Sequence, residues 1–111
     1  MGLSTHVLET SVGRPAAGVS LTLEAWRDDA WLLLHRAATD ADGRCKDMLP
    51  SGAALQHGRY RICFSTGEYF AAKGEVCLYP YVEIVFVVAD ERHHHIPLLL
   101  TANGYTTYRG S

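Results

Sequence analysis

Hydrophobic and polar residues alternate along most of this chain, with the period of two that puts successive side chains on opposite faces of a strand. In GVSLTLEAW, Val19, Leu21, Leu23 and Ala25 share one face, and Ser20, Thr22, Glu24 and Trp26 the other. Arg27 to Ala30 then supplies a turn into a partner strand from Trp31 to Ala38, where three consecutive leucines leave the facing open. Asp40-Ala41-Asp42-Gly43 marks a tight connection, since Asp and Gly tolerate left-handed backbone, and Arg44 leaves it at once. Tyr60, Ile62 and Phe64 alternate with Arg59, Arg61 and Cys63 in a further strand. The segment from Tyr81 sets Val82, Ile84, Phe86 and Val88 on a wholly apolar face.

Two stretches break the alternation. TGEYFAAK, Thr66 to Lys73, reads as one short helix with Thr66 as N-cap and Gly74 beyond its end. In HHHIPLLL, Pro97 cannot donate to a ladder, which predicts an edge strand or a locally opened one. Asn103-Gly104 leads into a last strand through Thr106 and Tyr108. Seven or eight short strands with close turns and one helix predict an all-β antiparallel sandwich in two sheets.

Composition narrows the function. The 111 residues make one domain, 1–111, with 48% hydrophobic and 20% charged residues, an ordinary globular balance. A net charge of -2 offers no basic field for a nucleic-acid backbone or an anionic membrane. Cys45, Cys63 and Cys77 are odd in number and scattered, which reads as free thiols in a reducing compartment. MGLSTHVLET lacks the basic and apolar regions of a secretory signal, and Ile84 to Ala89 is too short an apolar run to span a bilayer, so the expectation is a soluble cytoplasmic protein.

The candidate chemistry lies in the histidines. Period-two geometry puts His94 with Ile96, Leu98 and Leu100, and projects His93 and His95 from the opposite face, roughly 7 Å apart. His6 shares a face with Ser4, Leu8 and Thr10. Paired imidazoles suit a metal site, or general acid and base work near neutral pH, or simply a solvated face. Arg44 could orient a planar, anionic or carbonyl-rich ligand through its fork of donors, and Tyr108 could bind one through its hydroxyl. The terminal Tyr108-Arg109-Gly110-Ser111 is compact and chemically mixed, with a carboxylate at Ser111 beside Arg109.

Taken together, LSTHVLETSVGRPAAGV, TDADGRC, HGRYRICFSTGEYF, YPYVEIVF, HHHIPLLL and YTTYRGS resemble the 5-hydroxyisourate hydrolases, the enzyme branch of the transthyretin-like family, over essentially the whole length. The terminal YRGS is the most specific of these segments. The resemblance implies an eight-stranded sandwich with a short helix, assembled as a homotetramer, a dimer of dimers, with sites in a channel between the dimers. It implies hydrolysis of 5-hydroxyisourate to 2-oxo-4-hydroxy-4-carboxy-5-ureidoimidazoline in urate degradation, without metal or organic cofactor. His6, Arg44, His95 and Ser111 are then the catalytic positions, with His6, Arg44 and Tyr108 binding substrate. One of His6 and His95 activates water and the other assists, which of them being open; Arg44 stabilises developing charge. His93 matches the first histidine of the H-x-H-x-P pattern, and His94 stands where the family often has tyrosine. A transthyretin-like carrier of small aromatic ligands is the alternative, and a metal-binding module built on the three histidines a further one.

Overall fold

A computed structural model describes residues 2–50 and 53–110. Strand β1, Leu3–Glu9, alternates strictly, with Leu3, Thr5, Val7 and Glu9 buried and Ser4, His6 and Leu8 on the outer face. Two-residue strands β2, Arg14–Pro15, and β5, Arg44–Cys45, both pair with it antiparallel. Strand β3, Ser20–Arg27, turns tightly into β4, Ala30–Ala38, through Asp28 and Asp29 at φ 54° and 61°. Two successive left-handed residues match the right-handed twist of the hairpin. The leucine ambiguity in β4 resolves as a register shift opposite Leu23 and Glu24: Leu34 packs on the core, while Leu32 and Leu33 are exposed.

Strand β6, Gly58–Phe64, precedes helix α1, Thr66–Ala72. Ser65, rather than Thr66, takes the N-cap position and makes no side-chain cap bond, while Thr66 is buried as the first helical residue. Gly74, at φ 77°, ends the helix turn as expected. Strands β7, Val82–Val88, β8, His94–Thr101, and β9, Gly104–Thr107, complete the chain.

One sheet runs β4-β3-β6-β7, antiparallel throughout. The other runs β2-β1-β8-β9, with β5 also on β1. It contains a departure from the antiparallel expectation: β1 and β8 are parallel, Ser4 opposite His95 and His6 opposite Pro97. Leu21, Leu23, Ile62, Phe64, Val82 and Ile84 of the first sheet share one core with Leu3, Val7, Leu98 and Leu100 of the second, and Phe70 closes it from α1. Burial of this apolar surface is the main favourable term in folding.

Pro97 is buried in an interior strand, so the edge expectation is corrected. The locally opened strand is what occurs. The β8 to β9 ladder stops at Leu98 opposite Thr107, Thr107 Oγ1 donates to the Pro97 carbonyl at 2.7 Å, and pairing resumes only at His95 opposite Gly110. No helix among the described residues is long and apolar enough to cross a membrane.

Candidate active site

Parallel pairing of β1 with β8, and antiparallel pairing of β5 with β1, bring three distant segments together. His6 lies opposite Arg44, and Ser4 opposite His95. Ser4, Thr5, Arg44, Lys46, His93 and His95 line an open depression of about 460 Å³ on the outer face. Arg44 and Lys46 are both exposed and share a face, so two cations border it.

The Asp40 turn holds Arg44. The Asp40 carboxylate accepts the backbone N–H groups of Asp42 and Arg44, each at 2.9 Å, and the Arg44 bond leads in holding that carboxyl below the usual range. Gly43 is required here. Its φ is 75°, and a Cβ would lie 2.4 Å from the Val7 carbonyl oxygen. The same turn tethers His6, whose Nε2–H donates to the Asp42 carbonyl at 2.9 Å. Because a carbonyl can only accept, Nδ1 is the nitrogen His6 has left for chemistry when neutral.

His95 is half-buried, with Nδ1 2.8 Å from Ser4 Oγ. Burial comes first, and the neighbouring His6, Arg44 and His93 next, in pushing its imidazole below the ordinary value of 6.5. It is therefore neutral at neutral pH. His93 is exposed, and its Nε2 lies 2.7 Å from the same Ser4 hydroxyl. His94 faces the other way: it is 2% exposed, and its Nδ1–H donates to the Arg92 carbonyl at 2.8 Å. The three consecutive histidines thus diverge. Among the described residues no three His, Cys, Asp or Glu side chains converge to hold a metal ion.

The chain's last segment crosses back over His95. Gly110 N–H donates to the His95 carbonyl at 2.8 Å, and a Cβ at Gly110 would lie 2.5 Å from the His95 ring. Arg109 anchors this crossing by donating from both terminal nitrogens to Asp90, at 3.1 and 3.2 Å. Those bonds, with Arg92 second, hold the Asp90 carboxyl well below the usual carboxylate range. Arg109 therefore meets Asp90. Tyr108 is 55% exposed and does not line the depression, and Ser111 lies outside the described residues.

Of the residues singled out in the sequence, then, the fold gathers His6, Arg44, His95 and His93, and leaves Tyr108 apart. Sequence reasoning passed over Ser4, Asp40, Lys46 and the Asp90 to Arg109 clamp as parts of the site. Ser4 had a signal, since it shares a strand face with His6 two residues on. Asp90 had none for this role, because Arg109, its partner in the clamp, lies on another segment.

A two-sheet sandwich with a polar depression on one outer face defines the transthyretin-like class. The chain belongs to the HIUase/Transthyretin family, whose model matches residues 3–110. A 5-hydroxyisourate hydrolase of Salmonella dublin is 43% identical over 110 residues, spanning 98% of this chain and 80% of that one. A Klebsiella pneumoniae 5-hydroxyisourate hydrolase structure superposes with a TM-score of 0.88 at 37% identity, covering 99% of this chain and 98% of that one. Sea bream transthyretin in complex with thyroxine superposes with a TM-score of 0.92 at 28% identity, covering 99% and 95%. The backbone is thus shared by a 5-hydroxyisourate hydrolase and a thyroxine-bound transthyretin, and the side chains of the site must separate the two.

Proposed function

We propose that this chain hydrolyses 5-hydroxyisourate to 2-oxo-4-hydroxy-4-carboxy-5-ureidoimidazoline in urate degradation. The observation that carries this reading is the convergence of His6, Arg44 and His95 from three segments onto one outer face. A carrier needs shape and apolar contact; paired imidazoles, one of them held neutral by burial, beside a guanidinium are instead the equipment of acyl hydrolysis.

His95, held neutral by burial, takes a proton from water as the oxygen attacks the ring carbonyl. The carbonyl becomes an oxyanion, which Arg44 stabilises through its fixed donors. As the ring C–N bond breaks, the proton on His95 passes to the departing nitrogen, and the carboxylic acid formed at the carbonyl carbon releases its remaining proton to solvent and stays as a carboxylate. His6, tethered to Asp42, offers its remaining nitrogen to the substrate or the water. In this reading Ser111 orients a histidine or the water, and Tyr108, set apart from the depression of its own chain, holds the flat ring from a neighbouring copy across the subunit interface. Nothing in the scheme calls for a metal or organic cofactor.

The reading extends to a cytoplasmic homotetramer, a dimer of dimers with sites at the subunit interface. The end strands β7 and β9 carry exposed Val85, Val87 and Tyr105, and Tyr108 follows β9, which supports edge pairing with further copies. The test is the ultraviolet decay of freshly generated 5-hydroxyisourate with and without protein. Acceleration is expected, with a fall in kcat/KM for Arg44→Ala; a wild-type decay rate equal to the spontaneous one returns the chain to the carrier reading.

A further inference from the structure

Ser4 has one hydroxyl proton and two imidazole neighbours. Its Oγ lies 2.7 Å from His93 Nε2 and 2.8 Å from His95 Nδ1. With both rings neutral, the hydroxyl donates to one nitrogen and accepts an N–H from the other. The two rings therefore cannot choose their tautomers independently. Register enforces the arrangement: parallel β1 and β8 place Ser4 directly opposite His95, and period-two spacing puts His93 on the same face.

We propose that Ser4 is a positioning residue which couples the protonation of His95 to that of His93, making His93 the proton store of the site. The inference rests on the hydrolytic reading above. If His95 acts through Nε2, its Nδ1 carries the other proton and donates it to Ser4 Oγ, while the Ser4 hydroxyl donates to His93 Nε2. When Nε2 of His95 takes a proton from water, the Nδ1 proton passes to Ser4 and the Ser4 proton passes to His93. His95 is then neutral again, now with its proton on Nε2 facing the departing nitrogen, and His93 holds the positive charge. No bond other than N–H and O–H changes, and the charge balances.

The surroundings favour this direction. His95 is half-buried, whereas His93 is exposed and its charge solvated. The groups around His95 are His6 on β1, Arg44 on β5 with Lys46 just after it, and His93 just before its own strand, all of them cationic when charged. Moving the positive charge outward to His93 relieves that crowding. Gly2 lies beside His93, and a Cβ there would lie 3.3 Å from its Nδ1, so a side chain at position 2 would crowd the ring.

The experiment is a double-mutant cycle on Ser4→Ala and His93→Gln, with nitrogen NMR of the labelled wild-type chain. Each single variant is expected to lose roughly 10- to 100-fold in kcat, less than removal of a general base itself, with KM little changed. The double variant should lose no more than either single one, because both cut the same relay. Ser4→Thr keeps the hydroxyl and should restore activity. In the wild type, both neutral rings should carry the proton on Nδ1. Fully additive losses, an unchanged kcat in His93→Gln, or an Nε2–H tautomer at neutral His95 would each overturn the coupling. His93→Gln alters an exposed ring, so this arm does not depend on how Ser4→Ala folds. A wild-type chain with no hydrolytic activity overturns the proposed reaction, and the NMR tautomers then decide the coupling by themselves.

Discussion

Strand β1 carries two polar clusters on opposite faces, and they are built to opposite ends. At its far end Glu9, 1% exposed, points inward and accepts hydrogen bonds from Ser11 at 2.9 Å, Tyr69 at 2.7 Å and the Lys73 ammonium. Burial works against its charge, but the bonds from Lys73, Tyr69 and Ser11 outweigh that and hold the carboxyl below its usual range. At the near end, Ser4 and His6 face outward among imidazoles and cations bordering an open depression. A charge closed in by Tyr69 of α1 and Lys73 at its C-cap ties helix to sheet. Donors and acceptors left open to a depression are free to meet a substrate.

The sharpest way to separate the two clusters is His95→Gln. The side chain remains polar on a half-buried face, so thermal stability should hold, while turnover falls by about 10²- to 10⁴-fold if it supplies the general base. Turnover of the freshly generated substrate and a thermal melt on the same preparation measure both. Equal losses in the two would erase the distinction. Glu9→Gln should do the reverse. It keeps the shape but removes the charge that Lys73 and Tyr69 answer, costing about 1–3 kcal/mol of stability with kcat/KM unchanged. Urea unfolding reads the first quantity and substrate decay the second.

A smaller effect is expected where the clusters' logic meets at the chain's end. Arg109→Ala releases the tail from Asp90, and with it the Gly110 crossing over His95. The surface pair itself contributes little stability. Its effect should appear as a loss of about tenfold in kcat through misplacement of the site, with an unchanged melt. A variant with wild-type kcat would reduce the clamp to decoration of the surface.

Much of this was legible in the chain, and the limits are physical. Alternation in β3, β6 and β7 identified those strands and their buried faces, because a half-buried strand must sort its side chains two by two. The same rule separated His94 from His93 and His95. Strands β2 and β5 were illegible, since two residues have no period and exist only by pairing with β1. The parallel register of β1 with β8 joins residues about ninety positions apart, which no local signal carries: the shared strand face puts Ser4 with His6, but only that register sets its hydroxyl against His93 and His95. Asp90 is similar: near a turn it reads as a turn residue, and only the fold hands it Arg109.

The weakest perturbation, pH, should separate the two clusters. His95 has a folded pKa below 6.5, so the neutral, active form persists as pH falls through the ordinary imidazole range and is lost only lower down. The acid limb of kcat/KM should accordingly have its midpoint below 6.5. Between that midpoint and 6.5 the unfolded chain binds the extra proton, so a slight loss of stability begins there, and His95→Gln should remove it. Glu9 has the carboxylate sign: its folded pKa lies below 4.5, so its contribution is complete above that value and is lost as pH falls through the folded one. Glu9→Gln should flatten that part of the stability profile. Activity should therefore follow the titration of the imidazole and stability that of the carboxylate, as two separate curves on acidification, and activity should return on neutralisation. If melting and activity instead collapse together along one curve, the outer imidazoles and the inner carboxylate are one titrating unit and the division between the faces of β1 does not hold.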